Sequence, residues 1–260
     1  MPYQFITLKK EERVLTVSLN RPPTNPLNSE FGRELFEAFS EVDRMEDVNV
    51  VVITSALEKA FIAGADIKEM AAQNQSEAEA FSKLLQDANN LLSGMKKVVI
   101  AAINGHALGG GCELAMACDY RFMAAGKAFI GLPEATLGIL PGAGGTQRLP
   151  RLVGLSKALD ILLHGKTMGP EEALEIGLVD RVIEAENFME EVMKFAHKLA
   201  SGAGKALGSI KAAVYEGIDL PLEQALAVER KHGLENLKTH DAKEGLTAFA
   251  EKRKPNFQSR

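Results

Sequence analysis

The sequence has no tryptophan, three tyrosines and only two cysteines. Cys112 and Cys118 do not form a CxxC pair, and two thiols are too few for the disulfide framework of a small secreted domain. Positive charge is also scarce, with 30 Lys and Arg against 35 Asp and Glu, a net charge of −5. A nucleic-acid surface normally carries a basic stripe, so no nucleic-acid partner is expected. The one basic cluster, Lys252, Arg253 and Lys254, is small enough to be a solvated helix end or to meet a single phosphate. No apolar run approaches the ~18 residues of a membrane span. The opening MPYQFITLKKEER has neither an apolar signal region nor an Arg-rich transit character. A cytoplasmic protein with no membrane partner is therefore expected.

Several motifs are missing as well. Neither GHALGGG nor PGAGGTQR fits the dinucleotide fingerprint, because Gln147 stands at the third glycine position of the latter. Gly165, Lys166 and Thr167 spell the end of a phosphate-binding loop, but its first glycine is replaced by Asp160. The segment around Ser156 lacks the last glycine of a hydrolase elbow, since Ala158 stands there; Ser156 reads better as a helix N-cap. The five histidines (His106, His164, His197, His232, His240) show no metal-ligand spacing, so no metal site is expected.

What remains is an ordinary globular composition, 46% hydrophobic and 25% charged over 260 residues. That length allows one large domain or two modest ones, burying roughly 70–75% of the unfolded surface. Residues 6–8 and 14–19 read as strands around a charged KKEER turn. RPPTNPLN follows, where three prolines forbid regular structure, and Ser29 can then cap a helix through Leu35, Phe36 and Phe39. The continuous apolar runs 48–54 and 98–103 predict strands buried on both faces, and 76–92 has helical periodicity. Strands followed by helices imply α/β architecture. From Leu152 the pattern turns helical, at 155–163, 170–176, 187–200, 205–216, 221–237 and 241–252, with only 178–183 extended. A core over 1–195 and a C-terminal helical region over 196–260 are expected, with no low-complexity linker between them.

Two glycine-rich turns each open onto a helix: FIAGADIK at 61–68 and ALGGGCEL at 107–114. Small residues let a ligand approach the backbone, and the first N–H groups of a helix are unpaired donors. Two such turns face to face would form an oxyanion hole from backbone alone; equally, the glycines could serve tight turns and close packing. Glu113 lies among apolar residues, where burial would raise its pKa and suit it to proton transfer. A carboxylate in a helix's first turn is also favoured by the macrodipole with no chemistry at all. Glu134 follows Pro133, a favoured first helical residue, and has the same two readings. A pair of carboxylates with opposed roles is what the addition of water requires.

At these residues the chain resembles the crotonase (enoyl-CoA hydratase/isomerase) superfamily. The resemblance runs through RPPTNPLN, KAFIAGADIKEM, INGHALGGGCELAMACD, LPEATLGILPGAGGTQRLPR, EEALEIGLVDRV and AFAEKRKPNF, nearly the whole chain. It implies a spiral of repeated strand–strand–helix units with a C-terminal helical oligomerisation region, and a homotrimer or a hexamer built from two trimers. It also implies an acyl-CoA thioester substrate, with no cofactor beyond the coenzyme A that the substrate carries. Carried over, the backbone N–H groups of Ala65 and Gly110 would hold the thioester oxygen. Glu113 would activate water and Glu134 would deliver a proton. Ala63, Asp66, Ile67 and Lys68 would line the CoA groove, joined by Phe249 and Lys252 of a neighbouring subunit. Both glutamates point to hydration of a 2-enoyl-CoA. Another reaction of the superfamily, such as double-bond isomerisation or hydration of a branched substrate, is the first alternative, and an inactive binding protein the second. Leu132 departs from the polar Gln that related hydratases often carry before the Pro-Glu pair. Acyl selectivity is expected from a pocket floor that includes Met70, Ala71, Ala72, Phe81 and Leu140.

Overall fold

The computed structural model describes residues 3–259. Strands β1 (Ile6–Glu11) and β2 (Val14–Leu19) form a hairpin, and α1 (Ser29–Arg44) follows the proline-rich segment. A pattern then repeats three times, in which one strand joins a large sheet, the next joins a small sheet, and the chain turns into helix. The first repeat is β3 (Val50–Ser55), β4 (Ala60–Ala63), α2 (Ile67–Ala72) and α3 (Gln75–Gly94). The second is β5 (Val98–Ile103), β6 (His106–Leu108) and α4 (Gly110–Ala117). The third is β7 (Tyr120–Ala124), β8 (Ile130–Gly131), a 3-10 turn over Pro133–Leu137 and α5 (Gly145–Val153). The chain continues through α6 (Leu155–His164), β9 (Thr167–Met168), α7 (Pro170–Glu175), β10 (Arg181–Ile183) and α8 (Phe188–Ala200). It closes with α9 (Gly204–Gly217), α10 (Leu222–Asn236) and α11 (His240–Ala250). The large sheet has the order β1-β2-β3-β5-β7-β10, parallel beyond the first hairpin, and the small sheet the order β4-β6-β8-β9. This is the α/β architecture that the order of strands and helices implies, in the spiral of strand–strand–helix units that the resemblance implies.

The apolar runs owe their continuity to burial on both sheet faces. Side chains alternate along a strand, so Val51, Ile53, Val99, Ala101 and Ile103 join the main core on one face. Val50, Val52, Val98, Ile100 and Ala102 turn to the other face, which α8 covers with Phe188, Val192, Ala196 and Ala200. Helix α1 buries Phe31, Leu35, Ala38, Phe39 and Val42, the i, i+4, i+7, i+8 spacing of one helical face. Each large side chain so buried contributes about 1.5–3 kcal/mol of transfer free energy.

Local chemistry corrects several expectations. Asn28, not Ser29, caps α1, accepting from Phe31 N at 2.9 Å. Ser29 begins the helix, and its N–H and hydroxyl both donate to Glu69 Oε1. Asn and Ser cap about equally well, so spacing alone could not choose between them. Ser156 is no cap either, because Gly154 occupies that position at φ +83 with no side-chain hydrogen bond. Lys9, Lys10 and Glu11 extend β1 instead of turning; an edge strand tolerates charge because one side meets water. Of 178–183, only Arg181–Ile183 is strand. The short strands β4, β6, β8 and β9, two to four residues each, carry too little sequence to show a period.

The C-terminal helices are pinned by one buried cation. Lys211 Nζ donates to Leu92 O (2.6 Å) and Lys97 O (2.9 Å) and pairs with Asp119 at 2.9 Å. Beyond this pin α9–α11 leave large apolar residues in solvent, including Ile218, Leu222, Leu234 and Leu237. Among the described residues no helix is long and apolar enough to cross a membrane.

Candidate active site

The repeat places the second strands of three units side by side, and the turns leaving β4, β6 and β8 meet at one cavity of ≈ 290 Å³. The turn after β4 contributes Gly64 at φ +89 and Ala65. Leu27 lies alongside as an isolated parallel bridge, its N–H donating to Gly64 O at 2.9 Å and its carbonyl accepting from Asp66 N at 2.6 Å. That pairing engages the groups on either side of Ala65.

The turn after β6 approaches closely: a Cβ on Gly109 would stand 3.7 Å from Gly64 Cα. Gly109 has φ +54 and caps α4 without a side chain, so the N–H of Gly110 remains one of the orphan donors of a helix start. Both turns meet at the same wall, and Ala63, Gly64, Ala65, Gly109 and Gly110 all line the cavity.

Glu113, one turn into α4, is 2% exposed. Its Oε1 accepts from Ala143 N at 2.8 Å and from Gly145 N at 2.7 Å, the latter at the start of α5. Its Oε2 lies 3.9 Å from the position of a Cβ on Gly110, on the oxyanion side. Burial is the largest influence on this carboxyl and lifts its pKa to about 7; the charge of Glu134 adds to the rise, while the two N–H donors and Arg148 oppose it.

Glu134 comes from the 3-10 turn after β8, where Pro133 starts the turn and Gly138 ends it at φ +73. Its Oε1 would be 2.8 Å from a Cβ on Gly109, so only glycine fits there. Its Oε2 is buried without a hydrogen-bond partner, and burial raises this pKa too. Two carboxylates facing one cavity disfavour a doubly charged state. N–H donors hold Glu113 Oε1 whereas Glu134 Oε2 has no partner, so the two carboxyls titrate as one coupled pair in unlike surroundings.

The other sequence-predicted residues divide. Ala63 and Ile67 line the cavity. Asp66 does not; its carboxylate pairs with Arg21 at 3.2 Å and caps α2. That pairing holds it below the usual carboxylate range. Lys68 is exposed beside the mouth and lines nothing. Phe249, 85% exposed, and Lys252 lie outside the cavity of their own chain. On the expected floor Met70, Phe81 and Leu140 are present, whereas Ala71 and Ala72 are not, because a two-turn helix presents only one face. Leu132 is fully buried against the start of α5, its Cδ1 3.1 Å from the position of a Cβ on Gly145. Sequence reasoning missed Leu27, Leu85, Leu137 and Ile139 of the lining, and the amides of Ala143 and Gly145. For the amides the signal was present in PGAGG, a third glycine-rich turn opening onto a helix. Among the described residues no group of three or more His, Cys, Asp and Glu side chains could hold a metal ion.

Known proteins resemble the chain over its full length. The model of the enoyl-CoA hydratase/isomerase family matches residues 9–260. A crotonyl-CoA hydratase from Syntrophomonas wolfei is 44% identical over 261 residues, covering 100% of both chains. A short-chain-enoyl-CoA hydratase from Clostridium acetobutylicum is 42% identical, covering 98% of this chain and 97% of its own. Among solved structures, an enoyl-CoA hydratase from Geobacillus kaustophilus superposes with a TM-score of 0.98 at 39% identity, covering 100% of this chain and 98% of that one.

Proposed function

Since the chain belongs to the enoyl-CoA hydratase/isomerase family, we propose that it adds water to a 2-enoyl-CoA thioester with Glu113 and Glu134, giving a 3-hydroxyacyl-CoA. The enzyme is a hydro-lyase acting on enoyl-CoA. The observation that carries the assignment of residues is the convergence of both buried carboxyls and two glycine-rich turns on one apolar-lined cavity.

The steps follow from that arrangement. The thioester oxygen accepts from Ala65 N and Gly110 N, which take up the charge that develops when C3 is attacked; one such donor is worth ~10²–10³ in rate. Glu113, ionised and held at Oε1, takes a proton from water through Oε2 as the water oxygen bonds to C3. The protonated carboxyl of Glu134 gives its proton to C2. The pair ends with one proton, as it began, now on the other glutamate. No redox change occurs, so the reaction calls for no resident cofactor, and coenzyme A arrives with the substrate. Leu85, Leu137, Ile139 and Leu140 give the acyl chain an apolar wall.

The CoA end draws on a second part of the proposal. The apolar residues left exposed on α9–α11 support assembly as a homotrimer, or two trimers paired. In it Phe249 and Lys252 of one subunit reach the CoA of the next, with Lys252 near a phosphate.

Loss of the conjugated thioester's ultraviolet absorbance, with crotonyl-CoA as substrate, tests the assignment in wild type, Glu113→Gln and Glu134→Gln. Rapid loss that falls by orders of magnitude in both variants supports it. A folded wild type that leaves crotonyl-CoA unchanged would redirect the assignment to longer, branched or isomerisable substrates.

A further inference from the structure

The turn that holds Glu113 is itself held by α3. Ser82 Oγ and Gln86 Nε2 both donate to Gly142 O, each at 2.7 Å. That carbonyl belongs to the same peptide plane as the Ala143 N–H, which donates to Glu113 Oε1 at 2.8 Å. Ser82 and Gln86 lie one turn apart on α3, so a single helix face delivers both donors to one oxygen. A carbonyl that accepts hydrogen bonds makes the N–H across its peptide bond a stronger donor. The chain therefore runs from two neutral side chains, through one peptide group, to a carboxylate.

We propose that Ser82 and Gln86 are positioning residues for Glu113, acting through the 142–143 peptide to stabilise its ionised form. The inference rests on Glu113 serving as the base. The charged groups that face Glu113 are Glu134 from the 3-10 turn and Arg148 from α5. Neither is touched by changes at Ser82 or Gln86, because Arg148 is held separately by Ser93 and Asn90 at 2.8 Å each. On α3 the residues that contact this turn are uncharged. A shift in the titration of Glu113 on removing Ser82 or Gln86 is therefore a report on the peptide.

The experiment compares wild type with Ser82→Ala, Ser82→Thr, Gln86→Ala and the double alanine variant. The Ala143 amide proton is followed by NMR, and kcat/KM for crotonyl-CoA is followed against pH. In wild type the amide proton is expected far downfield and to titrate with Glu113. The alanine variants move it upfield and push the acid limb of kcat/KM to higher pH by roughly 0.3–1 unit each. The rate on that limb falls about 2–10-fold, mostly in kcat, and Ser82→Thr restores the wild-type limb. An amide proton unmoved by both alanine changes overturns the proposal whatever the rates do. An amide that moves while the limb stays fixed overturns the link to the base. Retention of hydration in Glu113→Gln sinks the underlying assignment instead, and that result is distinguishable because the NMR shift does not depend on turnover.

Discussion

The turns at the end of the small sheet and the helices at the end of the chain handle burial in opposite ways. In the first region the charged and apolar groups are enclosed: Glu113 is 2% exposed and Glu134 9%, and the peptide groups around them are engaged by Leu27, Ser82 and Gln86. In the second, Leu222 is 74% exposed and Phe249 85%, although both sit on well-formed helices. The first region is complete within one chain. The second has the amphipathic pattern of an element that expects a neighbour. The lesson is that one chain can enclose its charged groups fully and still leave an apolar helical surface uncovered elsewhere.

The sharpest way to break this comparison is at Glu113. Glu113→Gln is expected to lower kcat by about 10³-fold or more, within the range of a lost general base and its aligned water. In wild type kcat/KM should rise with pH through about 7 as Glu113 ionises. The same substitution should stabilise the fold. A carboxyl whose folded pKa is raised favours folding below its unfolded value and loses that contribution as pH climbs from about 4 to about 7. The difference is on the order of 3 kcal/mol for a shift to about 7 in a nearly fully buried group. Thermal denaturation should therefore show Glu113→Gln melting several degrees above wild type at pH 8 and level with it at pH 4. A lower melting temperature at pH 8 would mean that the carboxyl is not held at a cost.

A smaller loss is expected at Gly109. Its φ of +54 is strained for any residue with a Cβ, and that Cβ would lie 2.8 Å from Glu134 Oε1. Gly109→Ala should displace Glu134 and reduce kcat about 10²-fold, with KM for crotonyl-CoA moving little. Steady-state kinetics decides; a kcat near wild type would separate Glu134 from the reaction.

The C-terminal region should respond in binding. If Leu222 and Leu234 face another copy, the double change Leu222→Lys with Leu234→Lys yields a smaller species by analytical ultracentrifugation. Its kcat at saturating substrate should fall less than in Gly109→Ala, and its KM should rise. The mildest effect is expected from Lys252→Ala. One exposed contact to a phosphate is worth about 1 kcal/mol or less, so KM should rise up to roughly five-fold with kcat unchanged, and high salt should erase the difference. A fall in kcat instead would mean that the tail reaches the chemistry.

Much of this was legible before any coordinates. Apolar runs that never alternate, as at 98–103, mark strands covered on both sides, and β5 occupies that span. Glu113 stands beside a run of three glycines whose signal was open to two readings, and close packing is one that the structure bears out, since a Cβ on Gly111 would lie 2.2 Å from Ile62 O. The N–H donors of Ala143 and Gly145 were less legible, because a glycine-rich turn does not say what its amides will meet. The partner of Asp66 was not legible either. Its carboxylate meets Arg21, 45 positions earlier, a pairing that no local pattern announces.

Sequence by itself determined the longer strands β1, β2, β3 and β5 and the helical tail, because these depend on residue type and short spacing, and the family, because its motifs recur in order along the chain. Only the tertiary structure decided that three turns, separated by some 25 to 45 residues of chain, share one cavity. It also decided which oxygen of Glu113 is held and which is free, and that Phe249 and Lys252 lie away from the site of their own chain. Those facts depend on how the spiral closes, and closure is set by strand pairing between residues too distant in sequence for any local pattern to register.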